Sequence, residues 1–118
     1  MFLARLSQKH TLFLISKNEP TRLNTIESLG ITKFFKTVLF VEEKSKGVFA
    51  GLGIDPKESL VVGDYLASEI RAGNDFGAIT VRIRQGLFKD MVPANQQETP
   101  RHEIQTLQEL DDIIRLYV

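Results

Sequence analysis

Two acidic residues that follow a short apolar run carry the strongest chemical signal in the sequence. The run 60–62, Leu-Val-Val, ends in Gly63-Asp64, and Glu69 follows five residues after Asp64. Such a run is typical of a buried strand, and Gly63 permits a sharp turn or a close approach of the backbone. Open α/β sheets bind their ligands at the carboxyl ends of their strands. Asp64 could therefore hold Mg²⁺ or cap the next helix, and the spacing alone leaves both roles open.

The composition excludes several classes of protein. The length of 118 residues predicts one domain with one core, and 15 basic against 15 acidic residues argue against a nucleic-acid or membrane surface. The absence of cysteine excludes disulfides, a thiolate metal site and a thiol nucleophile, and it allows a reducing compartment. No apolar run reaches membrane-spanning length, and the first residues become polar too early for a secretory signal. We therefore expect a cytoplasmic protein without nucleic-acid or membrane partners.

Apolar runs and helix-ending glycines predict strands and helices that alternate along the chain. The strand candidates are buried runs or alternating segments, and the helix candidates carry apolar residues at helical spacing. The predicted strands cover residues 10–15, 37–41, 60–62, 78–84 and 102–106, and the predicted helices cover residues 2–8, 20–29, 47–53, 69–76 and 107–116. This alternation predicts a mostly parallel sheet with helices on both faces.

The helix at 20–29 has signals at both ends. Asn18 is a plausible cap, Pro20 fits a helical first turn, and Gly30 is a good stop. Its predicted inward stripe consists of Leu23, Ile26 and Leu29.

The last third of the chain has weaker signals. Residues 78–84 alternate between apolar and polar, which predicts a half-buried strand near the edge of the sheet. Residues 85–101 contain two prolines and many amides, which predicts a loop. Within this loop we expect one packed turn made by Leu87, Phe88, Met91 and Val92. The last helix is predicted to face inward with Leu110, Ile113, Ile114 and Tyr117.

Two stretches of this sequence, taken together, resemble a known family. Asp55-Pro56-Lys57-Glu58-Ser59-Leu60-Val61-Val62-Gly63-Asp64 and Gly77-Ala78-Ile79-Thr80-Val81 are similar to the C-terminal half of the core domain of the haloacid dehalogenase (HAD) superfamily. That family comprises Mg²⁺-dependent phosphatases and relatives on a Rossmann-like sheet. The resemblance extends over about residues 11–114, where three of the four family motifs occur in order.

The resemblance implies phosphate-binding and charge-neutralising residues in the first part of the chain. Residues 12–16, Leu-Phe-Leu-Ile-Ser, match the second motif, in which Ser16 and nearby backbone amides would bind a phosphate oxygen, with Asn18 also facing the phosphate. Lys44 best matches the lysine that offsets charge between nucleophile and phosphoryl group, and Lys46 is the alternative. Ser16 could instead cap a helix, and either lysine could be a solvated surface charge.

The resemblance implies that Asp64 is a magnesium ligand. Glu69 stands where the family usually has aspartate, and its extra methylene changes its reach toward an ion that tolerates little geometric error. Glu69 is therefore the weaker metal candidate, and it could instead interact with a helix dipole without touching metal.

The first family motif, an aspartate pair that supplies the nucleophile and the general acid-base, is absent. The first aspartate of the chain is Asp55, directly before the acidic motif. In the family the corresponding strand lies between the strand ending at Ser16 and the strand ending at Asp64. We therefore expect an α/β, three-layer, Rossmann-like fold of the HAD type without its central first strand. Mg²⁺ binding should be weakened by the missing ligand.

Two functional hypotheses follow from the absence of the first motif. One is a truncated HAD-like phosphatase-type hydrolase that is inactive alone and acts on a phosphorylated small molecule only when a missing N-terminal segment completes the site. The alternative is a non-catalytic binding or assembly module on the same fold, such as a strand-swapped oligomer, because unpaired strand edges invite pairing. A phospho-acceptor receiver domain is disfavoured because no aspartate precedes Asp55. The sequence does not identify the substrate.

Overall fold

The computed structural model describes residues 2–19 and 21–117, in which short helices alternate with parallel strands. In chain order the elements are α1 (Phe2–Ser7), β1 (Phe13–Lys17), α2 (Arg22–Ser28), β2 (Thr37–Val41), α3 (Lys46–Ala50), β3 (Leu60–Gly63), α4 (Arg71–Phe76), β4 (Ile79–Ile83), β5 (His102–Ile104) and α5 (Leu110–Arg115). The chain divides into two compact units, a first unit up to Lys44 and a second unit from Ser45 onward. The single domain expected from the length stays a prediction. No helix in residues 2–19 and 21–117 is long and apolar enough to cross a membrane.

The first unit is built on a two-stranded parallel sheet. β1 and β2 pair with Phe13 opposite Thr37 and Lys17 opposite Val41. Every residue of β2 is half-buried, and Ser16 is the one fully buried residue of β1. The predicted strand at 37–41 is confirmed. The predicted strand at 10–15 lies further along the chain because residues up to Lys17 pair with β2.

Helix α2 buries less of its apolar stripe than its spacing predicts. Ile26 is buried, whereas Leu23 is 46% exposed and Leu29 is 63% exposed. Gly30 adopts the left-handed conformation, with φ of 67°, and follows the end of the helix as expected. The prediction that Asn18 caps this helix is wrong, because the N-cap position is Thr21. Pro20, predicted in the first turn, lies outside the described residues.

The second unit contains a three-stranded parallel sheet in the order β3-β4-β5. Leu60 lies opposite Ile79, and Val81 lies opposite His102. Helix α4 packs closely on this sheet, because a Cβ atom at Gly73 would lie 2.8 Å from Thr80 Cγ2. The buried apolar side chains of this unit are Phe49, Val61, Leu66, Ile70, Ala72, Ala78, Ile79, Val81, Ile104 and Leu110.

The alternating strand at 78–84 is not near the edge of its sheet. β4 is the central strand of the second unit, and its two polar positions, Thr80 and Arg82, are 0% and 2% exposed. Thr80 is buried because its hydroxyl donates to Asn74 Oδ1 at 2.7 Å. Alternation usually indicates one solvated face, but here the polar side chains of both positions are buried and hydrogen-bonded, Thr80 to Asn74 and Arg82 to Glu103.

Two further predictions about the last third of the chain are wrong in part. The loop contains 3₁₀ turns at Gly86–Phe88 and Gln96–Glu98, but Leu87 is 89% exposed and Val92 is 76% exposed, so these two do not pack as expected. The last helix buries Leu110 as predicted. Tyr117 does not face inward, and its hydroxyl shares a hydrogen bond of 2.6 Å with His102 Nε2.

The strands of the described residues form two sheets. β1 is hydrogen-bonded only to β2, and β3 is hydrogen-bonded only to β4 on one side. The predicted α/β class with parallel pairing is confirmed. The expectation that the central first strand of the fold is missing stays a prediction.

Candidate functional site

Asp64 directly follows β3, at the carboxyl end of this parallel strand. A π-helical turn, Leu66–Ile70, then leads into α4. Leu66 and Ile70 are both 0% exposed, so this turn is anchored in the core of the second unit. The helical region therefore begins before Glu69, which lies inside the turn and not at the start of the helix. Asp64 occupies the position in which parallel α/β sheets present ligand-binding residues.

Glu69 acts on the backbone around Asp64. Its side chain is 8% exposed, and Oε1 accepts hydrogen bonds from the backbone N–H groups of Asp64 at 3.1 Å and Tyr65 at 3.2 Å. A carboxylate that accepts backbone N–H bonds makes charge-assisted hydrogen bonds, which are stronger than neutral ones. Glu69 thus holds the chain in place directly after β3. Its role as a metal ligand stays a prediction.

Gly63 leaves the space that the Glu69 side chain occupies. A Cβ atom at this position would lie 2.1 Å from Glu69 Cγ and 2.5 Å from Glu69 Oε1. The φ angle of Gly63 is not positive, so its requirement here is for space and not for a left-handed conformation. The sequence offered a sharp turn or a close approach, and the structure contains the close approach.

The 3₁₀ turn Gly86–Phe88 lies beside Asp64. A Cβ atom at Gly86, whose φ is 74°, would lie 3.7 Å from Asp64 Oδ2. The Phe88 ring stacks on the Tyr65 ring, with centroids 4.1 Å apart and an interplanar angle of 6°. Sequence reasoning missed this contact because Gly86 lies 22 positions after Asp64. Only the order of the strands brings the two residues together.

Ser16 and Asn18 lie together at the carboxyl end of β1 in the first unit. The Ser16 hydroxyl is buried and donates to the Lys17 carbonyl at 3.5 Å, the long limit of a hydrogen bond. Asn18 Nδ2 donates to Glu42 Oε1 at 2.8 Å, so this side chain joins the ends of β1 and β2. Ser16 does not cap α2, which begins after Thr21. Their roles toward phosphate stay predictions.

The two lysine candidates lie close together in sequence after β2. Lys44 is half-buried at the end of the first unit, and Lys46 is exposed and begins α3 in the second unit. Lys44 and Lys46 both remain candidates for the charge-neutralising lysine, and the choice between these two residues stays open.

The described residues fit Mg²⁺ only in part. No group of three or more histidine, aspartate and glutamate side chains in residues 2–19 and 21–117 is arranged to hold a metal ion. Magnesium in phosphate-handling sites is typically held by one or two carboxylates, while substrate phosphate and water supply the other oxygens. Asp64 is suited to be one of those carboxylates, and Glu69 already uses one oxygen on the backbone.

Comparison with known proteins identifies relatives that are phosphatases. A family model described as HAD-hydrolase-like matches residues 43–110. The chain is 40% identical over 96 residues to a glyceraldehyde 3-phosphate phosphatase of Methanopyrus kandleri, covering 74% of this chain and 41% of that protein. A protein of the same description from Methanocaldococcus jannaschii is 34% identical with the same coverage. The chain therefore spans less than half the length of these curated relatives.

Solved structures have the same fold. The Bacillus subtilis protein YfnB, described as a HAD-hydrolase and solved with bound magnesium, superposes with a TM-score of 0.78 at 23% identity, covering 95% of this chain and 52% of YfnB. A HAD phosphatase from Thermococcus onnurineus gives a TM-score of 0.72 at 21% identity, covering 96% of this chain and 54% of that protein. The resemblance inferred from the motifs is confirmed. Since the family model matches more than half of its residues, this chain belongs to the HAD-hydrolase-like family.

Proposed function

We propose that this chain carries the phosphate-binding, lysine and acidic parts of a HAD phosphatase site and needs an aspartate nucleophile from outside the described residues. The observation that carries the proposal is Asp64, presented at the end of β3 on a backbone that Glu69 holds in place. Asp55 does not serve as the nucleophile, because its carboxylate caps the next turn by accepting from the Lys57 N–H at 2.9 Å.

In the completed site each candidate residue has a separate task. Asp64 would provide one carboxylate ligand for Mg²⁺, which when bound offsets the negative charge of the phosphoryl group. Ser16 and Asn18 would donate hydrogen bonds to phosphate oxygens, and Lys44 would neutralise charge beside the nucleophile. None of these groups can form the covalent phosphoenzyme, because that step needs a nucleophilic carboxylate in line with the phosphorus. The chain alone is therefore expected to be inactive.

The substrate class is a small phosphate monoester. This proposal is supported by the two relatives described as glyceraldehyde 3-phosphate phosphatases and by a Bacillus subtilis relative, the 5'-nucleotidase YutF, 38% identical over 58 residues. The YutF match covers 49% of this chain and 23% of that protein. A cytoplasmic location, where such esters are abundant, is part of the same proposal.

A chimera tests whether this half of the site is competent. The chain would replace the matching part of the Methanopyrus kandleri relative, which keeps its own remaining segments, and hydrolysis of p-nitrophenyl phosphate would be measured with Mg²⁺. We expect activity, and we expect Asp64→Asn to lower kcat/KM by about 100-fold or more, as removal of a main charge-stabilising group does. Asp75→Asn, which removes an exposed acid on α4, is the matched control. A folded but inactive chimera, or equal activity of Asp64→Asn and the control, would contradict the proposal.

Self-association is a second candidate function, favoured by the state of the first unit. In the described residues all of β2 is half-buried and β1 pairs with β2 alone, and in this proposal the unpaired edge of β1 binds a second copy of this chain. Sedimentation velocity between low and high micromolar concentration tests this. A dimer whose population rises with concentration is expected, and a strict monomer throughout would rule it out.

A further inference from the structure

Arg82 is a buried cation whose hydrogen bonds hold a loop. Its side chain is 3% exposed, although it lies on the central strand β4. Nη1 donates to Glu103 Oε1 at 3.1 Å, while Nη2 donates to three backbone carbonyls of one loop. These carbonyls belong to Phe88, Lys89 and Met91. Buried charges are costly unless they are paired and hydrogen-bonded, and movement of this loop would leave Nη2 without its three partners.

The loop held in this way is the wall beside Asp64. We define the wall as residues 86–91. At one end Gly86 approaches Asp64 Oδ2, and in the middle Phe88 stacks on Tyr65, the residue after Asp64. The wall has few hydrogen bonds of its own, from the Lys89 N–H to Gly86 O at 3.4 Å and from the Met91 N–H to Phe88 O at 3.1 Å. Arg84 Nε also donates to the Lys89 carbonyl at 3.0 Å, so Arg82 is the donor that reaches the Phe88 and Met91 carbonyls.

We propose that Arg82 is a positioning residue that keeps the wall 86–91 preformed beside Asp64. This rests on the proposed phosphatase function, and it assigns the wall to the surroundings of the candidate metal ligand Asp64. Glu69 accepts a hydrogen bond from the backbone N–H of Asp64, directly after β3. Arg82, on β4, donates to Glu103 and to backbone carbonyls of the wall 86–91. Two buried charged residues thus each hydrogen-bond to backbone beside Asp64, and the proposed role of Arg82 needs no contact with the substrate.

Arginine chemistry makes the proposal testable by a conservative change. Arg82→Lys keeps the charge, but a lysine ammonium cannot reach Glu103 and three carbonyls at once, because it lacks the planar fork of the guanidinium. Arg115→Lys is the matched control, since Arg115 makes an exposed pair with Asp112 at 3.3 Å and is 77% exposed.

Amide hydrogen exchange by NMR on the full chain is the primary measurement. In Arg82→Lys we expect the Lys89 and Met91 amides, which donate to the Gly86 and Phe88 carbonyls, to exchange about tenfold faster or more, because the carbonyls of this wall lose hydrogen bonds to a charged group and the wall opens more often. The Asp64 amide and Tyr65 ring resonances should shift, while β3 amides keep their protection. Unchanged wall exchange, or faster exchange spread evenly over the second unit, would overturn the proposal, because the second result indicates only a global loss of stability.

Activity in the chimera supplies the functional readout. Arg82→Lys should lower kcat/KM for p-nitrophenyl phosphate by about tenfold or more, as loss of groups that orient a metal site does, and Arg115→Lys should not. Normal activity of Arg82→Lys with a loosened wall would overturn the positioning role. If the parent chimera is inactive, the proposed function fails, while the exchange result still decides whether Arg82 holds the wall.

A second variant keeps the proposal testable if Arg82→Lys does not fold. Phe88→Leu removes the stack on Tyr65 but leaves the carbonyls that Arg82 binds. We expect the Tyr65 ring resonances to shift while the Lys89 and Met91 amides stay protected. Loss of that protection would mean that the stack and not Arg82 holds the wall.

Discussion

The two units of this chain differ in how completely they bury their apolar residues. Of the eleven buried apolar side chains in the described residues, Ile26 belongs to the first unit and the other ten belong to the second. The second unit has a central strand covered on both faces, whereas the first has two strands without a third. Two-stranded sheets are marginally stable by themselves. In the described residues, the second unit therefore has the larger apolar core.

The candidate site residues differ in the same way. Asp64 follows a strand whose next turn is anchored by fully buried Leu66 and Ile70, and Glu69 holds its backbone. Ser16 has one long hydrogen bond to its neighbour's carbonyl, and Asn18 is exposed. Groups held by packed elements are preorganised for chemistry. The candidate metal ligand Asp64 is thus held by packed elements, and the roles of Ser16 and Asn18 toward phosphate stay predictions.

The largest expected effect is on stability and separates the two units. Leu66→Ala should lower the free energy of unfolding by about 2–5 kcal/mol, because it leaves a cavity in the core of the second unit. Leu29→Ala, at a position 63% exposed in the first unit, should change it by less than about 0.5 kcal/mol. Urea denaturation of both variants measures this. Similar losses would mean that Leu29 is packed as tightly as Leu66, which would contradict the difference between the units.

A glycine substitution tests the packing around Asp64. Gly63→Ala places a methyl group where the Glu69 side chain lies and should cost about 1–3 kcal/mol. Gly47→Ala is the control, because a Cβ atom there would meet only Ser45 Oγ at 3.7 Å and the position is helical. That variant should be neutral or slightly more stable. If the two alanine variants unfold at the same urea concentration, Glu69 does not pack against Gly63 as described.

Local opening should differ between the two sheets. We expect amides of β1 and β2 to exchange about tenfold faster or more than those of β3 and β4, because exposed, poorly packed elements open at lower free energy. Native-state hydrogen exchange at low denaturant measures both sheets in one sample. Equal exchange rates would contradict the expected difference between the two sheets, since the first sheet would then be as well protected as the second.

The smallest expected effect depends on pH and concerns the last helix. Hydrogen bonds from the Thr106 N–H, and then from the Gln105 N–H, lower the pKa of Glu109. A carboxylate with a lowered pKa stabilises the fold above its ordinary titration range, and this contribution is lost as the pH falls from that range through the lowered pKa. Glu109→Gln should therefore be slightly less stable than the parent at about pH 7, and the difference should shrink progressively as the pH falls below the ordinary range of a glutamate. A difference that does not change with pH would contradict this.

Local patterns predicted the elements well where neighbours in sequence decide the structure. Residues 37–41 form β2 as predicted, and Asp64 lies at a strand end as the run before it indicates. The helix ends at Gly30 and Gly77 also follow from the sequence, because both glycines adopt a left-handed conformation. These features depend on backbone preferences and short apolar runs, which the residues themselves carry.

Features that depend on distant partners could not be predicted. The burial of Arg82 depends on Glu103 and on carbonyls of the wall 86–91, and that of Thr80 depends on Asn74. Alternation alone placed these polar side chains on a solvated face. Leu29 was expected to be buried, but it is exposed. Helical spacing shows which side chains share a face, and it does not show how much sheet lies against that face. The roles of Ser16 and Lys44 were inferred from family resemblance and await experiment.

The most direct test of the account is an assay of the pure, mass-verified chain on p-nitrophenyl phosphate with and without Mg²⁺, beside Asp64→Asn. The account predicts no hydrolysis above the background of the variant in either condition, because the described residues contain no nucleophilic aspartate in the first-motif position. Turnover that requires Mg²⁺ and disappears in Asp64→Asn would contradict it, since another group of this chain would then act as the nucleophile.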